Sequence, residues 1–266
     1  MARRIEILGV GVDLVDVEAL HREILAMCRA TRETGEGCAP VLNVNANCLN
    51  LAWSRPWLRR TLNEASLVFC DGVGVALAAR ILSLPTPTRI TYADWTWQLA
   101  GFAAREGLTI YLLGARPGVA EEAACSLRRR HPALRIAGAE HGYFDKSAGS
   151  PENEAALARI SGASPDILVV GFGMPLQERW ISENRHRLDC GVVLAGGAAL
   201  DYVSGRARRG PRFLTDNGLE WLARLAIEPR RLWRRYVLGN PLFLTRVIRA
   251  RLSGLRPPGR EDRQRS

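Results

Sequence analysis

Short apolar runs recur from about residue 40 to residue 205, and each stops at a glycine or a small polar residue before a helical pattern begins. The runs are Val41–Val44, Leu67–Cys70, Leu108–Leu113, Ile167–Val170 and Gly191–Ala195. Continuous apolar strands that alternate with helices are typical of a parallel sheet covered on both faces. The pattern therefore predicts an α/β fold, a Rossmann-like parallel sheet flanked by helices. The helices that follow the runs are expected to extend to Ala52, Leu82, Arg130, about His186 and about Val203.

The pattern changes after Gly205. From residue 216 to residue 252, apolar side chains recur at helical spacing between arginines. Pro229 and Pro241 are expected to break this segment into two or three helices. The residues from about 256 onward are polar and rich in proline and arginine, and we expect them to be disordered. The chain is therefore divided into an α/β core (1–205), a C-terminal α-helical basic appendage (206–252) and a disordered tail (253–266).

Positive charge is concentrated in the C-terminal part of the chain. The net charge is +10, and residues 202–266 hold 16 arginines against 5 acids, so residues 1–201 carry a net charge of −1. Such asymmetry indicates an anionic partner, either a membrane surface or a nucleic acid. Helices with an apolar face and an arginine face suit a membrane interface, and they equally suit docking on the core. The sequence contains no nucleic-acid-binding motif, so we predict no nucleic-acid partner.

The sequence lacks several motifs that would have indicated other functions. No signal peptide precedes Asp13, and no run of about 18 uncharged apolar residues predicts a membrane-spanning helix. No G-x-G-x-x-G follows a strand, which disfavours a dinucleotide-dependent oxidoreductase, and there is no P-loop and no Asp-x-Asp pair. The four histidines have no metal-ligand spacing. The six cysteines form no C-x-x-C pair, and we expect buried thiols in a reducing compartment rather than disulfides.

Ligands of an open parallel sheet bind at the carboxyl ends of the strands, which selects the residues that follow the apolar runs. Asp71 ends one run and precedes Gly72, so its carboxylate suits a general base or, equally well, a helix N-cap. Gly114 and Gly118 suit a phosphate seat or close packing of strand and helix. Both alternatives remain open for each of these residues.

Eight pieces of sequence stand in order along the chain. They are NVNANCLNLA (43–52), LVFCDGVGVALAAR (67–80), Arg89 after a pair of prolines, IYLLGARPGVAEEAA (110–124), HPALRIAGAEHGYF (131–144), PDILVVGFGMPLQERW (165–180), residues 196–205 and EWLARLAIEPRRLWRRY (220–236). Together they resemble the WecG/TagA/CpsF glycosyltransferase family. The resemblance extends from about residue 5 to residue 248.

The resemblance implies an inverting glycosyltransferase, bound peripherally at the cytoplasmic face of the bacterial inner (plasma) membrane. Such enzymes move a sugar from a UDP-sugar to a polyprenyl-diphosphate-linked sugar in cell-surface polysaccharide assembly, with no metal or other cofactor required. The donor sugar stays open among N-acetylmannosamine, its uronic acid and glucose-type sugars. The oligomeric state also stays open, and a homo-oligomer is one of the partners considered.

The resemblance implies roles for individual residues as well. Asp71 matches the general base, and Arg89 and Gln177 match substrate-binding residues. Asn43 and Asn45 match a T-x-N substrate motif, with asparagine at the threonine position. The arginines expected to stabilise the leaving diphosphate are Arg224, Arg231 and Arg234. The backbone amides expected to bind the nucleotide are those of Gly114, Gly118, Gly142, Tyr143 and Gly173. The alternative is a non-catalytic sugar-nucleotide-binding or membrane-docking protein on the same fold.

Overall fold

A six-stranded parallel sheet forms the centre of the protein. A computed structural model describes residues 3–35, 37–207, 210–216 and 219–253. The strands of the sheet are β3 (Ala39–Val44), β4 (Leu67–Cys70), β5 (Thr109–Gly114), β6 (Arg135–Glu140), β7 (Ile167–Gly171) and β8 (Val192–Ala195), in the order β4-β3-β8-β7-β5-β6. Every neighbouring pair is parallel, as the apolar runs predicted. A separate antiparallel hairpin, β1 (Arg4–Ile7) and β2 (Val10–Asp13), precedes the sheet.

Helices cover both faces of the sheet and bury one apolar cluster on each face. The helices of the core are α1 (Val17–Thr34), α2 (Ala46–Ser54), α3 (Pro56–Glu64), α4 (Val73–Ile81), α5 (Tyr92–Glu106), α6 (Val119–Arg130), α7 (Pro151–Ala163), α8 (Leu176–Asn184) and α9 (Ala199–Val203). The predicted strands and the helices after them lie within a few residues of these bounds. The pattern missed β6, because no residue of this strand is fully buried and it therefore has no continuous apolar run.

The C-terminal segment is helical, as predicted. Its elements are α10 (Arg212–Asp216), α11 (Glu220–Ile227), α12 (Pro229–Trp233), a π-helical turn (Arg234–Leu238) and α13 (Gly239–Ser253). Pro229 opens α12, as expected. The break expected at Pro241 is wrong: this proline is the third residue of α13, where its missing N–H is tolerated, and the chain enters α13 through the π-helical turn. The tail expected to be disordered lies almost wholly outside the described residues.

Helix α13 packs into the core rather than beside it. Phe243 and Val247 are fully buried in the cluster that α2 and α4 also form. Asn50 of α2 joins the two parts through its amide, because its Nδ2 donates to the carbonyl of Gly239 at 2.7 Å and its Oδ1 accepts from Arg246 at 2.8 Å. The predicted domain boundary at residue 205 stays a prediction. Helix α13, which follows this boundary, shares an apolar cluster with residues that precede it.

The cysteines differ in part from expectation. Cys38 and Cys190 form a disulfide, whereas the sequence led us to expect free thiols throughout. The two residues precede β3 and β8, which are neighbouring parallel strands and therefore begin at the same edge of the sheet. Cys28, Cys48 and Cys70 are buried free thiols, as expected, and Cys125 is free but exposed.

The burial of α13 predicts a difference between two adjacent residues. Phe243→Ala should lower the free energy of unfolding by about 3–5 kcal/mol, because it removes a buried ring and leaves a cavity. Leu242→Ala should cost less than about 1 kcal/mol, because Leu242 is 47% exposed. Urea unfolding followed by circular dichroism measures both values. Equal losses for the two variants would contradict the packing of α13 in the core.

Candidate active site

A large cavity opens where the carboxyl ends of the central strands meet the C-terminal helices. Its volume is about 1500 Å³. The residues after β3, β4, β7 and β8 form one wall, and residues of α11, the π-helical turn and α13 form the opposite wall. The position at the strand ends is the one that the general rule for parallel sheets predicts.

Asp71 lies in this cavity at the end of β4. Its Oδ2 accepts a hydrogen bond from Nδ2 of Asn43 at 3.0 Å. The pKa of Asp71 is raised from 3.8 to about 7: burial is the largest cause and nearby Glu220 adds to it, while Arg235, Arg224 and the hydrogen bond from Asn43 partly offset the rise. A carboxyl group with a pKa near neutrality is suited to accept a proton during a reaction.

The structure excludes one of the two roles left open for Asp71, that of a helix N-cap. Helix α4 has Gly72 at its N-cap position, and no side chain caps it. A side-chain cap of this kind is found on a different helix, α2, where Oδ1 of Asn45 accepts from the backbone N–H of Cys48 at 3.0 Å. Asp71 is therefore not held in its charged form by a helix terminus.

The two asparagines predicted as substrate contacts both line the cavity, and each also has a structural task. Asn43 is buried, and its Nδ2 is engaged by Asp71 while its Oδ1 has no hydrogen-bond partner among the described residues. The hydroxyl of Tyr92 and Nε of Arg235 are buried in the cavity wall and likewise lack a partner within the described chain. Buried polar atoms are nearly always hydrogen-bonded, so these three atoms indicate a polar ligand.

Arg89 and Gln177 also line the cavity, but they bond to the protein itself. Nη2 of Arg89 donates to the carbonyl of Thr215 at 3.0 Å and so ties the core to α10. Gln177 is only 1% exposed. Its Oε1 accepts from the backbone N–H groups of Gly173 at 3.1 Å and Gly197 at 3.0 Å.

The glycines predicted to bind a nucleotide fall into two groups. Gly142, Tyr143 and Gly173 line the cavity, whereas Gly114 and Gly118 do not. Gly114 is needed for packing, because a Cβ at this position would lie 2.6 Å from Cα of Gly171 on the neighbouring strand. Sequence reasoning missed two cations in the same region of the cavity lining: Arg116 and Lys146, the single lysine of the chain.

The arginines of the appendage are placed differently from one another. Arg224 lines the cavity, with its guanidinium carbon 5.8 Å from the centre of the Tyr202 ring. Arg234 is exposed and stacks over Trp233, outside the cavity lining, and it is Arg235 that faces the cavity. The side chain of Arg231 lies outside what the structure describes. Matching sequence alone cannot tell two adjacent arginines apart, and of this pair the structure places Arg235, not the predicted Arg234, at the cavity.

A comparison with known proteins identifies the family of the chain. Residues 5–257 match the model of the glycosyl transferase WecG/TagA/CpsF family. The chain belongs to this family. It is therefore a glycosyltransferase of the hexosyltransferase kind, as the resemblance implied.

Curated relatives of this WecG/TagA/CpsF protein come from Staphylococcus aureus. The N-acetylglucosaminyldiphosphoundecaprenol N-acetyl-beta-D-mannosaminyltransferase of strain NCTC 8325 / PS 47 is 28% identical over 211 residues, which cover 79% of this chain and 80% of the relative. The protein of the same description from strain COL matches with the same identity and coverage. The family match, over residues 5–257, includes both walls of the cavity.

The last two features of this family member concern membrane-spanning helices and clusters of metal ligands. Within the residues that the structure describes, no helix is both long enough and apolar enough to cross a membrane. In the same residues, no three side chains of His, Cys, Asp or Glu are grouped as metal ligands. Metal independence nevertheless stays a prediction.

The raised pKa of Asp71 predicts a pH-dependent effect on stability. Between 3.8 and about 7 the folded protein retains a proton that the unfolded chain has released, so stability falls as the pH rises through this range. Asp71→Asn cannot ionise, so it does not lose this stability. Its melting temperature relative to that of the wild type should therefore be higher at about pH 8.5 than at about pH 5.5, by about 3 °C or more. Scanning calorimetry at both pH values measures the gain.

The control is Asp145→Asn, an exposed site. The hydroxyl and backbone N–H of Ser147 hold the pKa of Asp145 below its usual value, so this residue is ionised at both pH values. The difference in melting temperature between Asp145→Asn and the wild type should not change with pH. A difference for Asp71→Asn that is equally constant would show that the Asp71 carboxyl is not destabilised by burial.

Proposed function

We propose that this protein transfers a sugar, with inversion, from a UDP-sugar to a polyprenyl-diphosphate-linked sugar acceptor, with Asp71 as the general base. The observation that carries the proposal is one cavity that holds a carboxyl of raised pKa on the core wall and two arginines, Arg224 and Arg235, on the wall of the appendage. The names of the staphylococcal relatives supply the acceptor class and favour N-acetylmannosamine as the donor sugar.

The reaction is a single displacement. Asp71 takes the proton from the acceptor sugar hydroxyl as its oxygen forms a bond with the anomeric carbon of the donor. The bond from this carbon to the diphosphate oxygen breaks on the opposite face, and UDP leaves with the electron pair. A general base contributes about 10²- to 10⁴-fold to such a step, and its best pKa lies near the working pH. The pKa of Asp71, about 7, meets this condition.

Negative charge develops on the departing diphosphate, and the appendage supplies the cations for it. Arg224 and Arg235 face the cavity from α11 and the π-helical turn. Guanidinium groups bind diphosphate oxygens with paired hydrogen bonds, and preorganised donors of this kind are worth roughly 3–4 kcal/mol in the transition state. This arrangement supports a reaction without a metal. Arg231 and Arg234, which the sequence indicated for the same role, stay predictions, and substitution of each one tests its role.

The donor nucleotide is assigned to the end of the cavity that Gly142, Tyr143 and Gly173 line. Arg116 and Lys146 lie along the same lining and add positive charge there. The sugar lies between this region and Asp71, near the unpartnered atoms of Asn43 and Tyr92. Gly114 and Gly118 do not line the cavity, so we assign them no contact with the nucleotide.

A membrane-bound acceptor requires the enzyme to work at a membrane surface. Helices α11 to α13 and the π-helical turn carry many large apolar side chains that are exposed, together with exposed arginines such as Arg230 and Arg234. The apolar ones are Leu222, Ile227, Trp233, Val237, Leu238, Leu242, Ile248 and Leu252. This composition suits peripheral binding to an anionic bilayer at the cytoplasmic face of the bacterial inner membrane.

The test is a transfer assay with UDP-N-acetylmannosamine and a short-chain polyprenyl-diphosphate-linked N-acetylglucosamine. The wild type should release UDP and lengthen the lipid-linked product, also in the presence of EDTA. Asp71→Asn should lose at least about 100-fold in kcat, because the proton acceptor is gone. Calorimetry should show UDP bound within about three-fold of the wild-type affinity, since Asp71 acts on the acceptor.

The exposed variant Asp145→Asn is the matched control and should turn over like the wild type. Turnover of Asp71→Asn within a few-fold of the wild type would show that another group is the base. A wild type that binds UDP-sugars but transfers none of them would instead favour the non-catalytic alternative. Activity that disappears in EDTA and returns with a divalent ion would contradict the metal-free reaction.

A further inference from the structure

The side chain of Gln177 joins two loops of the cavity. Its Oε1 accepts one hydrogen bond from Gly173, in the loop between β7 and α8, and one from Gly197, in the loop between β8 and α9. Both loops line the cavity. A single oxygen atom therefore sets the distance between two segments that face the substrate.

This arrangement works in only one orientation of the amide group. If the amide were turned over, its NH₂ group would face two backbone N–H groups, and both hydrogen bonds would be lost. The side chain that fixes the orientation is the next residue, Glu178. Its Oε1 accepts from Nε2 of Gln177 at 2.9 Å, so the nitrogen is held on that side and the oxygen on the side of the loops.

Glu178 is in an unusual environment for a carboxyl group. Its side chain is fully buried, and no ion pair with a cation involves it among the described residues. Its Oε2 has no hydrogen-bond partner within the described chain, and Gln177 is the one other residue there that donates to this carboxyl group. A buried carboxyl is costly, and an apolar side chain would fill the same space at lower cost. The hydrogen bond to Gln177 is the one task that an apolar side chain would not perform.

We propose that Glu178 is a positioning residue for sugar transfer, which acts through Gln177 on the loops that carry Gly173 and Gly197. Gln177 in turn uses its carbonyl oxygen for the loops and not for the sugar, and one N–H of its Nε2 is left for the ligand. The inference rests on the proposed function for its effect on catalysis. The part that concerns loop geometry does not depend on that function.

The experiment compares two substitutions of Glu178. Glu178→Leu fills the space but accepts no hydrogen bond, and it should lower kcat about 10- to 100-fold, the loss expected when reacting groups are slightly misplaced. Glu178→Gln keeps an acceptor oxygen and should stay within about three-fold of the wild type. Glu183→Leu, an exposed site on the same helix, is the control and should leave kcat unchanged.

The second measurement reads the loops directly. In the wild type the backbone N–H groups of Gly173 and Gly197 should exchange slowly with solvent by NMR, and they should stay protected in Glu178→Gln. In Glu178→Leu both should exchange at least about ten-fold faster, while amides in the middle of β7 stay protected. If Glu178→Leu does not fold, the wild type alone tests the proposal. One Nε2 proton of Gln177 should then be found to exchange slowly, because it is held in the hydrogen bond to Glu178.

Three results would overturn the proposal. The first is wild-type kcat and wild-type exchange in Glu178→Leu, even with a lower melting temperature, because the role would then be structural only. The second concerns Glu178→Gln: its Gly173 and Gly197 amides exchange slowly, yet its kcat is as low as that of Glu178→Leu. The negative charge of Glu178, and not its hydrogen bond, would then be what catalysis requires. The third is a rapidly exchanging Gln177 amide in the wild type. A wild type that transfers no sugar would refute the proposed function, and the exchange rates would still decide the positioning role.

Discussion

The carboxyl group of Asp71 is the constraint on which the rest of the site depends. The end of β4 carries it into a cavity where burial disfavours its charge, and Asn43 gives it one hydrogen bond. Its remaining charged neighbours come from the appendage: Glu220 raises its pKa, and Arg224 and Arg235 lower it. The pKa of Asp71 near neutrality therefore reflects its burial first and the charges of the appendage second.

The same arrangement gives the appendage a structural part in the site itself. Helix α13 inserts Phe243 and Val247 into the core, and Asn50 bonds across the junction. This fixes the π-helical turn, which presents Arg235 to the cavity, while the neighbouring Arg234 remains on the outer surface. In the proposed reaction one segment thus serves both the leaving diphosphate and the membrane that holds the acceptor, through adjacent residues on opposite sides of it.

Much of this could be predicted from sequence, and the limits have physical causes. Buried parallel strands leave continuous apolar runs, so β3, β4, β5, β7 and β8 could be located, whereas the edge strand β6 leaves none. The strand-end rule placed Asp71, Asn43 and Asn45 at the cavity, but it could not say that Asn45 would cap α2 whereas Asp71 would not cap α4. Contacts between distant segments were out of reach. Examples are Gly114 against Gly171, the pairing of Cys38 with Cys190, and the bonds of Gln177 to two loops.

The pH dependence of kcat/KM for sugar transfer tests the central claim most directly, when it is measured for the wild type, Arg235→Ala and Arg234→Ala. The wild-type value should rise with pH to a plateau, with a midpoint of about 7, because Asp71 must be ionised to accept the proton. The midpoint should move to higher pH in Arg235→Ala, which removes a cation that favours the ionised form, and should stay in place in Arg234→Ala. A profile that is flat through this range, or an equal midpoint in the two arginine variants, would contradict the account of a base on the core governed by charges of the appendage.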